Sequence, residues 1–191
     1  MSKPAPQRRA DARRNHARIL AVAEAEVAEH GAGASLEQIA RVAGVGSATV
    51  RRHFPTRRAL LESVARARID ALCARAAELE RGEDARAALL EWLGDVVAYC
   101  ASARGFAAAI AVDGAEPESV YENACSASLE RAGAPLLRRA EAAGAVDGGV
   151  TMSELITLIV GIALATEHHA APEAQAERLF QVAVAGLSPA G

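Results

Sequence analysis

Between Ser35 and Pro55 the sequence has room for only two short helices, and it marks the ends of both. Ser35-Leu36-Glu37-Gln38 has the S-x-x-Q form of a capping box, which predicts a helix start with Leu36, Ile39, Ala40 and Ala43 turned inward. Gly44-Val45-Gly46 breaks that helix. Ser47 is placed to cap a second one, Ala48 to Phe54, which Pro55 ends. Two short helices around a glycine-containing turn are the skeleton of a helix-turn-helix. Ala40 and Ala43 let the two axes come close, and Val45 fills the corner. Val50 and Phe54 point inward at i and i+4, which leaves Ser47, Ala48, Thr49, Arg51, Arg52 and His53 outside. Small residues followed by Arg-Arg-His suit a helix that enters a major groove: the backbone can approach bases while cations and hydroxyls meet phosphates. Arg57 and Arg58 open the next helix, where the dipole favours acids, so an anion such as phosphate is expected to dock there.

The rest of the chain reads as helix throughout. Residues 1–10 are polar with two prolines and are expected to form a flexible arm. A first helix is expected from Asp11 to His30, with Ile19, Leu20, Ala23 and Val27 on one face and Gly31 as its stop. Thr56 caps a long helix to about Glu80, Gly82 closes it, and Asp84 caps another that carries Leu89, Trp92, Leu93, Val96, Tyr99 and Cys100. A separate short segment is expected over Phe106 to Val112. Pro117 suits the first turn of the helix after it. The apolar phase then runs through Pro135, which implies one kinked helix or two abutting ones ending at Gly144. Thr151-Met152-Ser153-Glu154 is a second capping box, opening a helix to about Thr166, and a last helix runs from Pro172 to Gly186. Alanine is abundant, β-branched and aromatic residues are scarce, and no strand pattern or internal repeat appears, so the fold class is all-α.

Charge is divided unevenly. Residues 1–60 carry 11 Lys/Arg against 5 Asp/Glu, and the remainder carries 10 against 19. A basic end on an acidic body points to a polyanion at the N-terminus. The three cysteines, Cys73, Cys100 and Cys125, are widely spaced without a CxxC pair, which favours a reducing, cytoplasmic setting over a disulfide framework. The longest apolar run, Leu155 to Thr166, falls short of the roughly 20 residues a bilayer requires, so no membrane partner is expected. His168 and His169 are adjacent on a helix and diverge by about 100°, which argues against a metal site. No catalytic motif is present, neither G-x-S-x-G, phosphate loop nor H-E-x-x-H, so neither an enzyme nor a cofactor is expected.

Ile19 to Ala23, Gly31, Ser35 to Val45 and Thr49 to Leu61 together resemble the DNA-binding domain of TetR-family regulators, over roughly residues 13–62 without a gap. The resemblance implies about nine helices, a homodimer, a palindromic operator in double-stranded DNA, and a pocket for a small-molecule effector. It divides the chain into the arm at 1–10, a DNA-binding domain at 11–60, and a ligand-binding and dimerisation domain at 61–191. Carried over by position, base contacts fall on Ser47, Ala48, Thr49 and Arg52, and phosphate contacts on Ser35, Arg51, His53 and Arg57. Arg51 stands where the family usually has tyrosine, and it can pair with phosphate or guanine; Ala48 replaces a common glycine, and Val27 a frequent phenylalanine.

The few aromatics of the middle helices mark the best candidates for the pocket: Trp92, Tyr99, Phe106 and Tyr121, with Arg104, Glu122 and Cys125 beside them. Leu155, Ile159, Ile162 and Thr166, with Leu179, Val182 and Gly186, form apolar stripes on the last two helices, which the family pairs across a two-fold axis. The expected function is therefore a dimeric repressor released from its operator by an unidentified effector. A ligand-independent regulator or an activator is the alternative reading, and an enzyme or small-molecule carrier lacks any supporting motif.

Overall fold

The computed structural model describes the backbone of residues 5–30, 33–112, 119–146 and 148–186, and within these the side chains other than those of 5–10, 13, 28, 103–112, 119–125 and 186. Eight α-helices and no strand occur among them: α1 (Ala5–His30), α2 (Leu36–Val42), α3 (Ser47–His53), α4 (Arg57–Leu79), α5 (Ala85–Val112), α6 (Ser119–Ala142), α7 (Met152–Thr166) and α8 (Pro172–Gly186). The chain divides into two compact units, one up to Ala65 together with the segment from Gly105, the other made of Arg66–Arg104 and the residues from Pro117 onward.

The N-terminal unit is built on one apolar cluster. Ile19, Ala23 and Val27 of α1 repeat at i, i+4 and i+8. They meet Ile39 and Ala40 of α2, Val50 of α3, Phe54, and Leu60, Leu61 and Val64 of α4. Helix α1 starts at Ala5, earlier than the expected Asp11, because Pro6 is tolerated in a first turn and Gln7 to Ala10 are good helix formers. Ser35 caps α2, its Oγ accepting from the Gln38 N–H at 3.3 Å. The reciprocal half of the expected capping box is replaced. Glu26 of α1 accepts the Ser35 N–H at 3.2 Å, while the Gln38 side-chain oxygen takes Arg41 at 2.8 Å. Between α2 and α3, Gly44 adopts φ +62°, its N–H reaching the Arg41 carbonyl and that of Val45 the Ala40 carbonyl. This is a Schellman turn, and it explains both the glycine and the apolar residue after it. Ser47 lies inside α3 rather than capping it; Gly46 holds the cap position and offers no side chain.

In the C-terminal unit Trp92 is the centre of the core, fully buried with Leu89, Val96, Leu136, Ala140 and Ile159. Its indole N–H donates to the Leu72 carbonyl at 2.9 Å. Gly133 of α6 faces that ring so closely that a Cβ there would stand 2.4 Å from Trp92 Cζ3. Asp84 accepts the Ala87 N–H at 2.9 Å and starts α5, which continues to Val112 and absorbs the segment expected separately over 106–112. Pro117 lies outside the described residues. Pro135 sits inside a single α6, neither splitting it nor changing its phase: Leu129, Leu136 and Ala140 are all buried. The merging around 85–112 is one reason the described helices are eight rather than about nine. Arg139 of α6 donates to the carbonyls of Leu79, Glu80 and Gly82 at the end of α4 and in the turn after it, that of Leu79 also accepting the Gly82 N–H at 3.0 Å. Thr151 and Glu154 form the complete capping box of α7.

Candidate nucleic-acid interface

Helix α3 owes its orientation to the two side chains it buries. Val50 and Phe54 are almost wholly enclosed by the N-terminal core, so the opposite side faces outward. Ser47, Ala48, Arg51 and Arg52 are exposed there, and Thr49 and His53 are half-buried beside them. The last turn carries Arg51, Arg52 and His53, where cations also suit the helix dipole. A short helix that shows small residues first and cations last has the width and charge to enter a major groove and meet phosphates.

Three of the expected contact residues are held by neighbours. Arg51 Nη2 donates to Glu37 Oε1 on α2 at 2.8 Å. Arg57 Nη2 donates to the Ala34 carbonyl at 3.2 Å, which holds its guanidinium against the segment before α2. The His53 ring lies 5.4 Å from that of His16 on α1, and His16 in turn stacks on Phe54 at 5.3 Å. Burial lowers the affinity of His53 for a proton below that of an ordinary histidine, and the charges of His16 and Arg52 act in the same direction. At neutral pH this imidazole is therefore neutral, able to donate one N–H but carrying no charge. Thr56 accepts the Ala59 N–H at 3.0 Å and so caps α4 as its position suggests.

Sequence reasoning missed Glu37, Arg14, Arg18 and His16. Arg14 and Arg18 sit one turn apart on the exposed side of α1, Arg14 paired with Asp11 and Arg18 donating to Asn15 at 3.2 Å. Their signal was present in the i, i+4 spacing of basic residues. Glu37 had none, because its partner lies 14 positions away.

The expected effector and dimer residues are placed differently. Trp92 is enclosed and its N–H is already used; Tyr99 is half-buried against the same core. The side chains of Arg104, Phe106, Tyr121, Glu122 and Cys125 lie outside the described residues. A cavity of about 40 Å³ does occur elsewhere in the C-terminal unit, lined by Leu89 and Leu93 of α5, Val146, Val150, and Leu158 and Phe180 of the last two helices. That volume holds a water or two. Leu155, Ile159, Ile162 and Thr166 are turned into their own unit's core, Thr166 donating to the Ile162 carbonyl at 2.9 Å. The apolar side chains left outward are Leu158, Val160 and Leu164 of α7 and Val182 of α8. Leu179 is half-buried, and the Gly186 position is outside the described side chains. Among the described residues no three metal-ligating side chains gather, and no helix is long and apolar enough to cross a membrane.

Residues 19–64 match the bacterial regulatory proteins of the tetR family, and residues 84–189 match the C-terminal domain of SbtR-like transcriptional regulators. Among solved structures, a TetR transcriptional regulator from Streptomyces coelicolor is 32% identical, with a TM-score of 0.74 over 92% of this chain and 99% of that one. A TetR regulatory protein from Mycobacterium vanbaalenii is 34% identical, with a TM-score of 0.72 over 94% of this chain and 98% of that one. Among curated proteins, none matches by sequence. With an N-terminal helix-turn-helix, a helical C-terminal domain and full-length likeness to these regulators, the chain belongs to the TetR family of DNA-binding transcriptional regulators, a non-enzymatic family.

Proposed function

We propose that the protein is a homodimeric repressor that holds a palindromic operator until a small-molecule effector releases it. On this reading residues 11–60 read DNA and residues 61–191 carry the effector and dimer functions. The observation that carries it is the outward face of α3, where Ser47, Ala48 and Thr49 precede Arg51, Arg52 and His53 above a fully packed core. Base reading is assigned to Ser47, Ala48, Thr49 and Arg52; Ser35, His53 and Arg57 hold phosphates, and Arg51 can take either a phosphate or a guanine. A single short helix makes few base contacts, so operator affinity requires two copies with their α3 helices about 34–36 Å apart. Val160, Leu164 and Val182 support such pairing: they are large, apolar and uncovered on the two C-terminal helices. These replace the buried Leu155, Ile159, Ile162 and Thr166 as the proposed dimer contacts. The effector site is assigned to the middle helices around Tyr99, Arg104, Phe106 and Tyr121.

Gel-shift titration against the DNA upstream of the protein's own gene, with and without candidate effectors, tests the whole reading. Arg57→Ala is expected to weaken binding to specific and random duplexes alike and to reduce the salt slope by about one. A wild-type protein that binds both duplexes equally, or an unchanged slope in the variant, would overturn the assignment.

A further inference from the structure

The Glu37–Arg51 pair joins the two helices of the helix-turn-helix on their solvent side, with 64% and 62% of the two side chains exposed. Exposed ion pairs add little to folding stability, since water competes for both charges and two long side chains must be immobilised. A carboxylate on a surface meant for phosphates also works against binding unless a cation accompanies it. Glu37 also stands in the first turn of α2, where the helix dipole favours an acid, but neither that nor general DNA affinity accounts for its pairing with Arg51.

The contact geometry suggests another role. Arginine has five N–H donors in a planar fork, and the bond to Glu37 engages Nη2 alone. Donors remain for a second, bidentate partner, and in the major groove the matching partner is the O6/N7 edge of guanine. An arginine free to rotate about its four side-chain bonds loses that freedom when it binds; one already held by a carboxylate from a neighbouring helix loses less. The charge balance points the same way. A guanidinium neutralised by Glu37 is a poor phosphate anchor but keeps its hydrogen-bonding shape for a base. The Arg51 bond also holds the Glu37 carboxyl below the usual glutamate range, so it remains ionised across physiological pH.

We infer that Glu37 is a positioning residue that orients the Arg51 guanidinium to read one guanine in each operator half-site. The inference rests on the reading of α3 as the recognition helix and chooses guanine over phosphate as the partner of Arg51.

The test uses the full chain and a pool of randomised duplex DNA, from which the wild-type protein selects its preferred sequence. Affinities are then measured by fluorescence anisotropy for the selected duplex, for copies with each G·C pair changed to A·T, and for a random duplex. Arg51→Ala is expected to lose on the order of tenfold discrimination at one position per half-site, with the other positions unchanged. Glu37→Ala is expected to lose most of the same discrimination at the same position, and the double variant no more than Arg51→Ala alone. Arg51→Lys keeps the charge without the fork and should also lose the preference, while Glu37→Asp should restore part of it. Thermal unfolding of the Arg51 variants should match the wild type, and Glu37→Ala should lose no more than the small contribution of an acid in the first turn of α2, which separates positioning from folding. Tighter binding of Glu37→Ala to every duplex would overturn the inference, because Glu37 would then only compete with DNA for Arg51. Unchanged discrimination in Glu37→Ala would overturn it while leaving the repressor reading intact. Failure of the wild type to select any sequence would overturn both.

Discussion

Gly133→Ala places one methyl group where the core has no room. The new Cβ would stand 2.4 Å from Trp92 Cζ3, 2.6 Å from Cη2 and 2.8 Å from Met152 Cε, against about 3.5–4.0 Å for ordinary carbon contact. Met152 Cε is the end of a flexible chain and can swing aside. The indole cannot, because its N–H is tied to the Leu72 carbonyl and its faces are packed. Relieving the clash therefore costs about 1–3 kcal/mol of overpacking, and about 1 kcal/mol more if the indole hydrogen bond stretches. Replacing glycine by alanine inside a helix returns roughly 1 kcal/mol. The net expectation is a loss of up to about 3 kcal/mol, or up to roughly 10 °C in Tm at this chain length, and at least about 1 kcal/mol relative to an unhindered glycine-to-alanine change. Trp92 is the only tryptophan of the sequence, so its fluorescence during urea or thermal unfolding reports on this contact directly. Gly94→Ala on α5 is the matched control: nothing lies within 4 Å of its Cβ position, so that variant should be neutral or slightly stabilised. Both are compared at one protein concentration, since association shifts apparent stability. A Gly133→Ala protein as stable as Gly94→Ala would refute the close packing of α6 on Trp92.

His53 supplies a pH dependence. Its folded-state proton affinity is depressed, so its contribution to stability is present above the unfolded pKa of about 6.5 and is lost as pH falls below it. Tm measured at pH 7.5 and 5.5 should fall on acidification, and less so in His53→Gln; equal falls in the two proteins would remove His53 from the account. At the proposed dimer face, Leu164→Glu or Val182→Glu should yield folded monomers by sedimentation, because 54% and 63% of these residues is exposed. Ile159→Glu should instead unfold the C-terminal unit, since that residue is 1% exposed. A Leu164→Glu, Val182→Glu protein that remains a dimer would rule out this face.

The parts of the structure set by neighbouring residues were legible in the sequence. Ser35, Thr56, Asp84 and Thr151 cap the helices they precede, because a cap depends on a side chain and an N–H two or three positions apart. The inward pair Val50 and Phe54 followed from helical period alone. Other features depended on distant partners. Glu26 displaced Gln38 at the Ser35 N–H because α1 runs past the start of α2. Apolar residues surround most of α7, so the period could not tell Ile159, which is buried, from Leu164, which is not. Ser47 was expected to cap α3, but the backbone after the Schellman turn puts Gly46 in that position. The Glu37–Arg51 pair lay beyond any local pattern.

Arg139 has a consequence outside stability and recognition. The turn between α4 and α5, Glu80 to Asp84, is exposed and carries Arg81, the kind of tip at which proteases usually cut. A protease must draw several residues of its target into an extended form. Here the carbonyls of Leu79, Glu80 and Gly82 are gathered by one guanidinium that belongs to α6. Extending the tip means detaching it from a helix nearly 60 positions further along the chain, so a loop that looks open to cleavage is guarded from a distance.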